Sequence, residues 1–188
     1  MISHTTFRAA RWVAALSVSA VLACGGDAAT AAGPEDPGPP DTPASGDRVP
    51  SQFVGTWVSG NVSPVGFYSP STGSWGAPSG VGMFFKFFAN GQYEKGVLLQ
   101  STLYNCTMSV LGYQRGTIKV SGSTFELRSS THKMKSVDNC VQKNNYEKTL
   151  ENEAETIILQ MGTDDYGNRT LFIRAPDTGP SRFYPRKN

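Results

Sequence analysis

The stretch Met83-Phe84-Phe85-Lys86-Phe87-Phe88-Ala89-Asn90-Gly91-Gln92-Tyr93-Glu94-Lys95-Gly96-Val97-Leu98-Leu99 decides the fold. Two runs rich in aromatic and branched residues flank Asn90-Gly91. Asn-Gly between such runs is the strongest short-range hairpin signal, because a type I′ turn needs positive φ at both central residues. Side chains alternate across a strand with a period of two. Met83, Phe85 and Phe87 therefore share one face, while Phe84, Lys86 and Phe88 share the other, and Lys86 marks that second face as the exterior. Past the turn, Tyr93, Val97 and Leu99 continue the interior face. These six inward residues either pack a solid core or line a cavity for one small apolar ligand, and alternation alone allows both.

The same grammar repeats on both sides of this hairpin. Phe53 to Val58 reads as a first strand. Leu111 to Val120, a turn at Ser121-Gly122, and Ser123 to Ser129 form a second hairpin, with Ile118, Val120, Phe125 and Leu127 facing inward. Thr156 to Met161, the turn Asp164-Asp165-Tyr166-Gly167, and Arg169 to Arg174 form a third, and Ser181 to Arg186 a last strand. No segment sustains helical periodicity. Glu151, Glu153 and Glu155 sit two apart, as on one face of a strand. Consecutive antiparallel hairpins predict an all-β fold, an up-and-down meander closed into a barrel of about eight strands, because closure removes exposed edges.

Ahead of this domain the chain changes character. Arg8 and Arg11 precede a short apolar run from Trp12 to Ala23, which reads as a secretory leader over residues 1–23; twelve residues fall short of the roughly 20 a spanning helix needs. The run Val21-Leu22-Ala23-Cys24, followed by Gly25-Gly26, resembles the lipobox of bacterial lipoproteins. The resemblance implies that Cys24 becomes the lipidated first residue and that the protein is held at a membrane by its acyl chains. Gly25 stands where Asp would retain a lipoprotein at the inner membrane, so the expectation is the outer membrane, facing the periplasm. Residues 25–50 hold six prolines and no aromatic residue, a composition unable to offset its ordering entropy, so 24–50 reads as a lipidated, extended tether and 51–188 as one domain.

Charge excludes one class of partner. The chain carries 17 basic and 15 acidic residues. Loss of Arg8 and Arg11 with the leader leaves the two signs equal, which gives no footprint for nucleic acid.

Gly55-Thr56-Trp57, opening the first strand, resembles the Gly-x-Trp signature of the calycin superfamily, which holds lipocalins and avidins. The run from Phe85 to Tyr93, and the rhythm Gly116-Thr117-Ile118-Lys119-Val120 followed by Ser123 to Leu127, are similar to bacterial lipocalin-like domains. The resemblance implies a lipocalin-like barrel in which Gly55 lets backbones approach, Trp57 plugs one end, and an arginine late in the chain, Arg186, packs over the Trp ring. It also implies a cup for a small hydrophobic ligand, lined by Met83, Phe85, Phe87, Tyr93, Val97 and Leu99. Against that pattern, residues 61–79 form a long insertion rich in Ser, Gly and Pro, with Phe67, Tyr68 and Trp75. It reads either as a lid or partner contact or as an exposed loop with incidental aromatics.

The chemistry-bearing residues are few. Cys106 and Cys140 are an even pair in an exported domain, which predicts a disulfide, with free thiols or a metal site as the rivals. His132, in a polar run with Lys133 and Lys135, reads as a surface histidine, and no nucleophile elbow accompanies it. Glu147, Glu151, Glu153 and Glu155 read as solvated charges, and Asp164 to Asn168 as a turn without the bidentate Glu of a calcium loop. The expected protein is a non-enzymatic, cofactor-free and metal-free monomer of the bacterial cell envelope that binds a small hydrophobic ligand. The alternative is a filled barrel acting as a protein-interaction or envelope-accessory module; sequence names no protein partner.

Overall fold

A computed structural model describes residues 46–186; the leader, Cys24 and residues 25–45 lie outside the described residues. The strands are β1 (Gly55–Gly60), β2 (Tyr68–Ser69), β3 (Ser74–Trp75), β4 (Gly82–Phe87), β5 (Gln92–Leu103), β6 (Cys106–Ser121), β7 (Thr124–Asp138), β8 (Tyr146–Thr149), β9 (Ala154–Thr163), β10 (Arg169–Arg174) and β11 (Ser181–Pro185). Every pairing is antiparallel. Hydrogen bonds run in a closed ring of eight strands, β1-β4-β5-β6-β7-β9-β10-β11 and back to β1, so the meander predicted from the hairpins closes on itself.

The deciding hairpin forms, but with a different turn. Phe88 donates its N–H to the Gln92 carbonyl, and Gly91 donates to the Phe88 carbonyl. That makes a three-residue loop, Ala89-Asn90-Gly91, in which Gly91 has φ +80° and Asn90 is not among the residues with positive φ. It is a type I turn closed by a left-handed glycine rather than a type I′ turn. Asn90 contributes through its side chain, whose Oδ1 accepts from the Gln92 N–H at 3.2 Å.

Alternation packs the ring. Trp57, Phe85, Phe87, Tyr93, Ile118, Phe125, Leu127, Ile157, Leu159, Leu171, Ile173 and Phe183 meet in one buried core inside it. The folded unit also takes in residues ahead of Ser51. Val49 is buried in that core, the Asp47 N–H donates to the Ile118 carbonyl at 2.7 Å, and Asp47 Oδ2 accepts from the Val120 N–H.

The outer face of the first hairpin is covered, not exposed. Phe84, Leu98, Leu111 and Tyr113 point out of the ring, and residues 61–79 fold back across them, with Val62 and Phe67 buried in the seam. Phe67 meets Phe84 edge-on at 5.2 Å, and Tyr68 lies 4.7 Å from Tyr113. The insertion is a strap holding a second core, neither a lid nor a free loop. Gly96 makes room for it, since a Cβ there would lie 2.1 Å from the Phe84 ring.

Strands β5, β6 and β7 outrun the ring and continue as a projecting arm, to which β8 adds along the upper half of β7. Near the arm's tip Cys106 and Cys140 form the predicted disulfide, with Cα atoms 5.4 Å apart.

Candidate functional site: the barrel mouth and the arm

The six residues expected to line a cup divide into two groups. Phe85, Phe87 and Tyr93 are only 1–2% exposed, with Phe85 stacked on Phe87 at 5.7 Å and edge-on to Phe183 at 5.4 Å. Met83 is half-buried against the same core. Val97 lies at the rim, and Leu99 stands beyond it at 56% exposure. Leu99 keeps the inward parity, but no strand of the ring reaches high enough to cover it. The interior of the ring is occupied by side chains, as an eight-stranded barrel permits.

Trp57, expected as a plug, is buried in the core and donates its Nε1–H to the Phe53 carbonyl at 2.8 Å. Gly55 opens β1 at φ +127°. The cation over the Trp57 ring is Arg169 from the start of β10, 5.3 Å from its centroid, and not Arg186. Arg186 is exposed and joins β1 through its backbone N–H, which donates to the Thr56 carbonyl. Arg169 is fixed by a second contact, donating to the Gln52 carbonyl at 2.5 Å.

The mouth below the arm holds the polar cluster that sequence reading missed. Lys95 Nζ pairs with Glu155 Oε2 at 2.5 Å and lies 5.6 Å from the Phe85 ring centroid. Gln114 Nε2 donates to Glu153 Oε1 at 2.7 Å and faces His132 Nε2 at 3.2 Å, while His132 Nδ1 lies 3.0 Å from the Glu151 carbonyl. These partners assign the proton to Nδ1, which donates to the carbonyl, leaving Nε2 to accept from the Gln114 amide. His132 is therefore not the surface histidine expected: its side chain is only 15% exposed and both ring nitrogens are engaged. Burial, then the Glu155 and Glu153 carboxylates, push the Tyr93 phenol far above its ordinary range, so it stays neutral. Each charge here has an opposite or polar partner, which is what burial of a charge requires.

A β-bulge places His132 in this cluster. Arg115 pairs with Thr131 but Gly116 with Ser129, so Ser130 is an extra residue and the inward set changes from Phe125 and Leu127 to His132, Met134 and Ser136. β8 and β9 follow β7 in one register, Lys133 opposite Thr149 and Arg128 opposite Ala154, interrupted over residues 150–153. That interruption delivers Glu153 and the Glu151 carbonyl to the mouth. Above them a cavity of about 120 Å³ opens among Lys95, Val97, Gly112, Tyr113, Gln114 and His132.

Beyond the mouth the arm is amphipathic. Its inward-parity face carries Leu99, Leu103, Met108, Val110, Met134 and Tyr146, with Ser101, Ser136, Asp138 and Lys148 among them, and Leu103 is 70% exposed. Past the strap, the opposite face carries Gln100, Thr102, Thr107, Ser109, Lys133 and Lys135. Asp138 ties the tip together, accepting from the Cys140 and Val141 N–H groups and from Asn144 Nδ2 at 2.8–2.9 Å. The Asn144 bond first, then the two backbone N–H groups, hold its carboxyl below the ordinary Asp range. Asp164 acts in its turn, taking bonds from the Tyr166 N–H and from both nitrogens of Asn168. Among the described residues, no three His, Cys, Asp or Glu side chains gather as a metal site. Compared with known proteins, the chain matches no family model, and no curated protein is significantly similar to it.

Proposed function

We propose that the chain is a lipid-anchored, non-enzymatic protein of the bacterial cell envelope whose filled barrel is a rigid base for a docking arm. Cys24 would hold it at the membrane, outer by the expectation from Gly25. One observation carries the reading. Of the six side chains expected to line a cup, Met83, Phe85, Phe87 and Tyr93 pack in the core of the ring, while the same inward face continues onto the arm, where Leu99, Leu103 and Met108 are exposed among the described residues. Large apolar side chains gathered in the open on one face are a feature that a monomer ordinarily avoids unless it docks something.

The small-ligand reading keeps one observation in its favour, the cavity at the mouth. Its 120 Å³ is well under the roughly 300–1,000 Å³ of pockets that enclose a drug-sized molecule. It would admit a small head group rather than a whole hydrophobic cargo.

The test uses the full chain in its own envelope, with a photo-crosslinking residue at Leu103 or, as control, at exposed Tyr166 on the β9–β10 turn. Docking by the arm yields protein adducts from position 103 and none from 166. A protein bare of adducts, carrying instead a discrete small molecule that Val97→Trp expels, would overturn this reading in favour of the ligand. Loss of metabolic acyl labelling in Cys24→Ser checks the anchor.

A further inference from the structure

The arm has two lateral edges, and they differ. The β8 edge carries Glu147 and Lys148, the charges that ordinarily keep strands from pairing with strangers. The β5 edge is bare of any described strand. β4 pairs with β5 only as far as Gly82 opposite Leu98, so Leu99-Gln100-Ser101-Thr102-Leu103 has β6 on one side and no described strand on the other. No charged residue occurs between Lys95 and Arg115. Leu103, at the end of this edge, is 70% exposed.

Which backbone groups point outward follows from the ladder. Gln92 turns its carbonyl toward the β4 side, to Phe88. Direction alternates along a strand, so Gln100 and Thr102 aim their N–H and C=O groups at the free side, while Leu99, Ser101 and Leu103 bond to β6. The edge reads nearly the same in both directions about Ser101. An antiparallel copy centred there sets Gln100 opposite Thr102 of the second chain, with about four backbone hydrogen bonds from the two such pairs. Leu99 then falls opposite the second chain's Leu103, in the non-hydrogen-bonded positions where side chains approach most closely. Both leucines lie on the inward-parity face, so the two exposed apolar faces merge into one.

We propose that this edge pairs two copies of the chain, the β5 strands running antiparallel about a two-fold axis at Ser101. The occupant is a second copy because the match is with the edge's own sequence: leucine meets leucine, the amide side chain meets a hydroxyl, and no charge opposes another. Isologous contacts of this kind close on themselves and stop at two. The proposal rests on the reading of the arm as the docking element, and it replaces the monomer that the sequence suggests.

Ser101 is the one residue that faces itself across the axis, which makes the test specific. Full-length Ser101→Cys, in envelopes under mild oxidation, gives a disulfide-linked dimer on non-reducing gels, whereas wild type and exposed Thr72→Cys do not. Ser101→Lys puts two like charges face to face and returns the detergent-purified chain from twice the monomer mass to the monomer mass by light scattering. Wild type at monomer mass at every concentration, with Ser101→Cys no more crosslinked than Thr72→Cys, overturns the pairing. If that happens while Leu103 still crosslinks a different protein, the docking arm stands and only the second copy fails.

Discussion

Phe85→Ala separates a filled ring from a cup. The Phe85 side chain is 2% exposed, stacked on Phe87, edge-on to Phe183 and under the Lys95 ammonium. Its neighbours are held by three surrounding strands, so they collapse little into the space left. Buried Phe→Ala changes of this kind cost about 3–5 kcal/mol. Against a total stability of about 5–15 kcal/mol, that is about a fifth or more of what keeps a domain folded. With a urea slope of about 2 kcal/mol per molar, the midpoint falls by about 2 M. Trp57, buried in the same core, reports the transition by fluorescence. A midpoint within about 0.3 M of wild type would show that the ring tolerates an empty Phe85 site, as a ligand cup does, and would refute the packing argument.

Three further outcomes follow from the same geometry. Replacing Cys106 and Cys140 together by Ser opens a link across 34 positions, and loop entropy sets the loss at about 3–4 kcal/mol, read as a lower urea midpoint and faster amide exchange in the arm. Gly96→Val drives a side chain into the Phe84 ring, so the strap gives way at a cost of about 1–3 kcal/mol; proteolysis should then cut within residues 61–79 first, and an uncut strap would sink the prediction. Asp138 has its carboxyl pKa depressed by folding, so its stabilising bonds are intact above the unfolded value of about 3.9 and are lost as pH falls through the lower folded value. Protection of the Cys140 and Val141 amides, relative to their intrinsic exchange rates, should persist in wild type down to the depressed folded value and be lost below it, and should already be weak at neutral pH in Asp138→Ala.

What the sequence made legible was whatever depends on neighbours along the chain. Asn90-Gly91 located a hairpin, alternation separated Phe85 from Phe84, and the paired cysteines announced their bond. Position against distant strands was not legible. Phe84 reads as exterior and is exterior, yet it is buried, because nothing local says that Val62 and Phe67 return over it. Arg169 sits at the start of a strand where its proximity to Trp57 depends on ring closure, so the last arginine of the chain was the natural but mistaken choice. Leu99 obeys its parity and fails its burial because β4 ends at Gly82. The signal available for the arm was length: the chain from 92 to 121 holds no Pro and no charge between Lys95 and Arg115, more strand than an eight-stranded ring can use.

The bulge at Gly116 connects these features, and its absence would reverse which side chains the upper part of β7 turns inward. Up to Ser129 the odd-numbered residues of β7 face inward, as Phe125 and Leu127 do. Had that phase continued, Thr131, Lys133 and Lys135 would face inward on the arm, and His132, Met134 and Ser136 would face out. The inserted Ser130 reverses the phase, sending both lysines to the polar side and Met134 to the apolar one. Gly116 is what allows it, since a Cβ there would meet the Arg128 carbonyl at 1.9 Å, closer than backbone atoms can stand. A ring that needed only to fill itself gains nothing from this reversal, because its core ends below the bulge. The reversal acts on the part of the sheet outside the ring: it puts Met134 rather than Lys133 and Lys135 on the face that also carries Val110 and Met108, leaving Asp138 and Lys148 as the charges there, and it sets His132 beside Gln114 at the foot of it.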